Sequence, residues 1–170
     1  LDIAQLLESE GIDFLAVHPR TRMQGYTGRA DWEILKLIKA NLHIPIIGNG
    51  DIWTAEDAKT MLDYTHVDGL MCGRGVLRDP FLLNKINYYL TNTSKLEIPI
   101  TAYHQFYSDY LARQKNFGRS DSARLNKLKE HFSWHSKGFP LEIWEKLKRI
   151  STFEEFWNTY LDETKNLEFL

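Results

Sequence analysis

Three short polar clusters carry residue types that binding and catalysis use: His18-Pro19-Arg20-Thr21-Arg22, Gly48-Asn49-Gly50-Asp51 and Gly73-Arg74-Gly75. Glycines let a backbone approach a ligand closely, and successive N–H groups near a helix start form a concave anion site. Arg74 adds a permanently charged fork suited to bidentate contact with a phosphate. Each cluster alone has a plainer reading: His18 as a structural histidine, Asn49-Gly50 as an ordinary turn, Gly73-Arg74-Gly75 as a flexible loop. Placed after three consecutive strand patterns, they point instead to one shared site whose ligand carries a phosphate. Strand carboxyl ends are where barrels and open α/β sheets hold their ligands.

The strands that must position these clusters are short β-branched or apolar runs at residues 14–17, 44–47 and 67–72. Pro45 is tolerable there only near a strand start. Between the runs the spacing is helical. Ile3, Leu6 and Leu7 form a pattern stopped by Gly11, and residues 31–40 place Trp32, Leu35 and Ile38 on one face. Thr54 is the expected N-cap of a helix over 55–63 with Asp57 in its first turn, and Pro80 opens a helix carrying Phe81, Leu82, Ile86 and Leu90. Strand-helix alternation with short loops is parallel α/β architecture. The two glycine clusters are the last two strand-to-helix loops before the chain turns helical, where eight-stranded barrels place a phosphate site.

Residues from about 96 onward contain no convincing strand. Pro99, Gly118, Gly138 with Pro140, and Ser151 divide them into four helix-sized pieces. Apolar stripes run through Phe106, Tyr110 and Phe117; Leu125, Leu128, Phe132 and His135; Ile143, Trp144 and Leu147; and Phe153, Phe156, Trp157 and Tyr160. These stripes predict the core of a helical bundle. From Arg113 to Arg149 ten Lys or Arg face four acids, a balance of +6, whereas after Arg149 one Lys faces five acids. Such a stretch is either a solvated bundle face or a surface for nucleic acid.

Composition excludes several classes. With 170 residues, 43% hydrophobic, 26% charged and net charge -2, the chain is neither a disordered polyelectrolyte nor a membrane protein. Its apolar runs are far too short to span a bilayer. Cys72 is the single cysteine, so no internal disulfide framework or zinc ribbon is expected, and no metal site; a reducing, cytoplasmic compartment fits. The chain opens in a helical pattern without an initiator Met, which predicts a piece of a longer protein.

The succession His18-Pro-Arg-Thr, then Ile-Pro-Ile-Ile-Gly-Asn49-Gly50-Asp51-Ile, then Asp68-Gly-Leu-Met-Cys-Gly73-Arg74-Gly75 with Pro80 following, resembles the second half of a tRNA-dihydrouridine synthase. The resemblance is strong over residues 1 to about 90 and looser beyond, through the helix from Arg124 to Trp134. It implies the C-terminal part of a TIM (β/α)8 barrel, about three βα units over residues 1–95 that bind FMN, followed by a helical tRNA-binding domain over 96–170. In that family reduced FMN, recharged by NADPH, reduces a tRNA uridine to 5,6-dihydrouridine, by hydride transfer to C6 and protonation of C5 by a cysteine. The uridine must be splayed out of the folded RNA to be reached.

By the same resemblance His18 would lie near the flavin pyrimidine edge, Asn49, Gly50 and Asp51 along the ribityl and phosphate region, and Gly73 and Arg74 at the phosphate. Arg20 and Arg22 would face the RNA, with Arg119, Arg124, Lys127 and Lys129 contacting its backbone. The family's acid cysteine and a flavin-contacting lysine belong to the first half of the barrel. Cys72 does not match that cysteine and is expected to be a small buried residue, so no catalytic residue is expected in this chain and it should be inactive alone. A three-stranded remnant would also expose strand edges, which predicts self-association unless other strands cover them. Two competing readings stay open: another FMN barrel such as a dihydroorotate dehydrogenase-like enzyme, and a non-catalytic RNA-binding fragment.

Overall fold

In the computed structural model, which describes residues 1–25, 27–135 and 139–168, β1 (Leu15–Val17), β2 (Ile46–Asn49) and β3 (Gly69–Met71) form a parallel sheet in the order β1-β2-β3. Leu15 pairs with Ile46, Val17 with Gly48, and Gly48 with Leu70. Side chains alternate across a strand, so these five residues share one face. Parallel neighbours need a crossover, and α2 (Trp32–Asn41) and α3 (Ala55–Thr65) supply the two. Leu35 and Ile38 of α2, Ala58 and Met61 of α3 and Ile46 form one buried cluster, with Leu15, Val17 and Leu70 packed against it. Both crossover helices therefore cover the same face. The other face carries Ala16 and Met71, both exposed. Strands in chain order with their crossovers on one side follow the winding of a barrel, whereas a doubly wound sheet reverses its order.

The chain divides into two compact units, Leu1–Val76 with Leu82–Lys95, and Leu77–Phe81 with Leu96–Leu170. In the first, Leu35, Ile46 and Met61 are fully buried, each contributing about 1.5–3 kcal/mol relative to exposure. α2 begins where the Asp31 carboxylate accepts from the Glu33 N–H. At the start of α3 the Asp57 N–H donates to Thr54 Oγ1 at 3.1 Å and the Thr54 N–H donates to the Asp57 carboxylate at 3.0 Å, a reciprocal cap. The remaining elements of this unit are α1 (Asp2–Ser9), α5 (Leu82–Asn92) and the start of the one-turn helix α4 (Arg74–Arg78).

The second strand starts and ends two residues later than its apolar run predicts. Pro45 has no N–H to give, and the Ile44 N–H donates to the Glu8 carboxylate at 3.1 Å, so the ladder begins at Ile46. Gly48 and Asn49 consequently belong to the strand and not to the loop. A Cβ on Gly48 would stand 2.8 Å from Met61 Sδ, which makes this glycine a packing residue. β3 is also shorter than expected, Phe14 lies outside β1, and the Arg74 segment is helical where a loop was predicted. On α1, Ile3 and Leu6 are exposed and Ala4 is the buried position, so its predicted apolar stripe does not face this unit's core.

In the second unit α6 (Ile100–Asn116), α7 (Asp121–His135), α8 (Leu141–Leu147) and α9 (Phe153–Thr164) surround an aromatic core. Pro99 and Pro140 stand at the N-caps of α6 and α8, and Gly118 leaves α6 at φ +70. Leu125, Leu128, Phe132, Ile143, Leu147, Phe156 and Tyr160 are buried on the faces predicted for them. The expected break at Gly138 and the side chain of His135 lie outside the described residues. On α6 the expected Phe106 and Tyr110 pack half-buried against the aromatic core, the fully buried positions are Tyr103, Tyr107 and Leu111, and Phe117, at the C-cap beyond the last turn, is 79% exposed. Both sets recur at helical spacing on adjacent faces, and packing decides which one is enclosed most deeply.

Candidate functional site

The carboxyl ends of the three strands open on a cleft of about 210 Å³, less than the roughly 300–1,000 Å³ that encloses a whole small ligand. It has the size of a subsite for one end of such a molecule. His18 arrives from the end of β1, Asn49, Gly50 and Asp51 from the end of β2, and Gly73 and Arg74 from the end of β3. The six residues singled out in the sequence thus line one cleft. Trp53, Met71 and Cys72 line it as well, and sequence reasoning gave none of them a place there. For Trp53 a signal existed, since it follows Asp51 by two residues in the same loop.

Backbone conformation sets the middle of the site. Gly50 has φ +119, and a Cβ there would stand 2.9 Å from Ala30 Cβ and 3.1 Å from His18 Cδ2. Both the conformation and the close approach demand glycine. The Trp32 indole N–H donates to the Gly50 carbonyl at 3.2 Å and pins the turn from α2. Asp51 follows in the left-handed region at φ 56, which Asp tolerates better than most residues. A Cβ on Gly75 would come 2.3 Å from the Ile52 carbonyl oxygen, so the β2 and β3 loops touch through that glycine. A Cβ on Gly73 would meet nothing within 4 Å, leaving open space at the cleft wall.

The charges are arranged around Asp51. Its carboxylate accepts from Arg20 Nη2 at 2.7 and 2.9 Å and from the Ala30 N–H at 2.6 Å. Arg74 Nη2 stands 3.5 Å from Asp51 Oδ1, and the Arg74 guanidinium lies over the Trp53 ring, 5.1 Å from its centroid. A cation held over an indole ring in this way is worth about 0.5–2 kcal/mol. Arg20 does not face outward as expected. Its side chain is 4% exposed and also donates to the Gly28, Thr27 and Gly25 carbonyls at 2.9, 3.0 and 3.3 Å. A guanidinium so enclosed is unavailable to RNA. Arg22, two residues on, is exposed. Cys72 is half-buried against the unit's core, and burial pushes its thiol up, so it keeps its proton at neutral pH.

The four cations singled out in the second unit are deployed differently from one another. Arg124 is 12% exposed, pairs with Asp121 at 2.8 Å and lies over the Phe153 ring, while Lys127 pairs with Glu130 at 2.6 Å. Lys129 Nζ donates to the Lys148 carbonyl at 3.0 Å. Arg119 is exposed, as are Arg113 and Lys115 near it in sequence, with Phe117 among them. Among the described residues no group of His, Cys, Asp and Glu could hold a metal ion, and no helix is long and apolar enough to cross a membrane.

The sequence model of the family described as Dihydrouridine synthase (Dus) matches residues 1–168. "Probable tRNA-dihydrouridine synthase 1" of Synechocystis sp. is 34% identical over 157 residues, covering 91% of this chain and 44% of that protein. "tRNA-dihydrouridine synthase B" of Shewanella oneidensis is 38% identical over 137 residues, covering 79% and 42%. The protein of the same name in Vibrio cholerae is 42% identical over 123 residues, covering 65% and 38%. The chain therefore spans less than half the length of the curated relatives it matches. Since the family match runs through both units, the chain belongs to the dihydrouridine synthase family.

Proposed function

We propose that this chain is part of an FMN-dependent tRNA-dihydrouridine synthase that reduces uridine to 5,6-dihydrouridine with NADPH as reductant. Residues 1–95 are read as the C-terminal βα units of a TIM barrel and residues 96–170 as its helical tRNA-binding domain. The observation that carries this reading is the meeting of His18, Asn49, Asp51, Gly73 and Arg74, from three successive strand ends, on one cleft.

The donor set fits the phosphate end of FMN. Arg74 is a cation on the cleft wall, and open space adjoins Gly73 where a Cβ would stand. The carboxylate of Asp51 does not oppose a phosphate there, because Arg20 and the Ala30 N–H hold it. In this reading Gly73 and Arg74 bind the phosphate, Asn49 and Gly50 border the chain that joins it to the ring, and His18 hydrogen-bonds the ring's polar edge. FMN bound there and reduced by NADPH would supply the two electrons that saturate the uracil C5=C6 bond. The residues here bind and orient the cofactor, and Cys72, whose side chain packs against the core, has no proton-donating role in this reading.

For tRNA, the exposed Arg113, Lys115 and Arg119 with Phe117 between them suit a phosphate backbone and a stacked base better than Arg124 or Lys129, whose charges are engaged within the unit. Arg22 and Lys127 remain candidates beside them. Purified intact protein should be yellow, show flavin absorption and cause NADPH-dependent loss of the C5=C6 bond of uridine in tRNA. Flavin with orotate-type activity would favour the small-molecule oxidoreductase instead, and a colourless protein that binds tRNA would favour the non-catalytic reading.

A further inference from the structure

We infer that Arg20 is a positioning residue for Arg74, acting through Asp51: it ties down the carboxylate that orients the phosphate-binding guanidinium. The inference rests on the FMN reading above and adds a residue to it.

Arg20 takes both Asp51 oxygens, at 2.7 and 2.9 Å, and the Ala30 N–H takes Oδ2 at 2.6 Å. Arg74 is left at 3.5 Å on the Oδ1 side. Asp51 thus orients Arg74 without drawing it into a close bidentate pair, which would compete with a phosphate for the same fork. Side-chain exposure rises along the series, 4% for Arg20, 15% for Asp51 and 23% for Arg74, so the charges run from the interior to the cleft wall.

The same Arg20 donates to three carbonyls of the loop after β1, and Gln24 Nε2 closes that loop on the Thr27 and Arg29 carbonyls at 3.2 and 2.7 Å. Ala30, at the end of the loop, both donates to Asp51 and packs where a Gly50 Cβ would clash. Loop, carboxylate and cation are therefore one connected unit. Removing Arg20 leaves the Asp51 carboxylate to Arg74, which closes on it and is withdrawn from the phosphate. A lysine cannot replace this geometry, since one ammonium does not span a carboxylate and three carbonyls.

The test compares FMN with riboflavin, which lacks the phosphate, by fluorescence titration of the flavin-free intact protein. Arg20→Met should lower the preference for FMN over riboflavin by about tenfold or more, the loss of one charge-assisted contact, while riboflavin affinity stays level. In an Arg74→Ala background the same substitution should cause no further loss of that preference. Arg20→Lys, which keeps the charge but not the fork, should reproduce the loss, and decides the matter if Arg20→Met fails to fold. A wild-type preference for FMN that Arg20→Met or Arg20→Lys preserves, or an Arg20→Met loss equal in both backgrounds, overturns the positioning role alone. No preference in the wild type overturns the phosphate reading and this inference with it.

Discussion

Gly75 and Gly73 stand two residues apart on the same cleft wall, and alanine at each should weaken FMN binding but differ in its effect on stability. At Gly75 the new Cβ would lie 2.3 Å from the Ile52 carbonyl oxygen and 2.6 Å from Leu82 Cδ2. The leucine end can turn aside, but the carbonyl is backbone and must retreat by roughly an ångström to reach ordinary contact. Overpacking of this kind costs about 1–3 kcal/mol. Ile52 is bonded to Asp51, whose carboxylate orients Arg74, so the shift should also weaken a phosphate contact worth about 1.5–3 kcal/mol. At Gly73 the Cβ meets no atom within 4 Å, and folding stability should stay within about 0.5 kcal/mol or improve slightly through the unfolded chain. The methyl nevertheless occupies cleft space, and FMN affinity should fall. Urea unfolding read as midpoint and slope, alongside flavin titration, separates the two effects. A Gly75→Ala protein as stable as wild type, or a Gly73→Ala protein that loses as much stability, would refute the packing argument.

Leu128 is fully buried at the centre of the helical unit, so Leu128→Ala should cost about 2–5 kcal/mol by denaturant unfolding. Burial holds His131 and His104 below the ordinary histidine pKa. The unfolded chain therefore binds more protons, and this part of the stability is complete above about pH 6.5 and is lost as pH falls through the lower folded values. Thermal midpoints should drop across that window, and His131→Gln should flatten the drop. Replacing Arg113, Lys115 and Arg119 together by alanine should reduce the salt dependence of tRNA binding by about three phosphate contacts, whereas the slope should be unchanged for Lys129→Ala.

What the sequence could tell follows from which forces are local. The N-cap at Thr54 with Asp57 in the first turn, the prolines before α6 and α8, and the apolar spacing of α7 and α9 depend on near neighbours and were legible. The convergence of the three clusters followed from parallel winding, which puts successive strand ends on one side. The direction of Arg20 was not legible, because its partners lie 31 residues away at Asp51 and along a loop whose closure the sequence does not announce. Gly48 looked like part of a ligand loop because nothing local shows that Met61 will press against it. The α6 stripe was legible only in part for a similar reason: Phe106 and Tyr110 do pack against the core, but packing with other helices of its unit encloses the adjacent face of Tyr103, Tyr107 and Leu111 more deeply and leaves Phe117 exposed.

The central claim is that Arg74 holds the phosphate of FMN in the cleft at the strand ends. Its most direct test is the FMN affinity of the intact protein with and without Arg74→Ala. Losing a charge-assisted contact of about 1.5–3 kcal/mol should weaken FMN binding roughly ten- to hundredfold while leaving riboflavin binding unchanged. Equal FMN affinity in the two proteins would contradict the assignment.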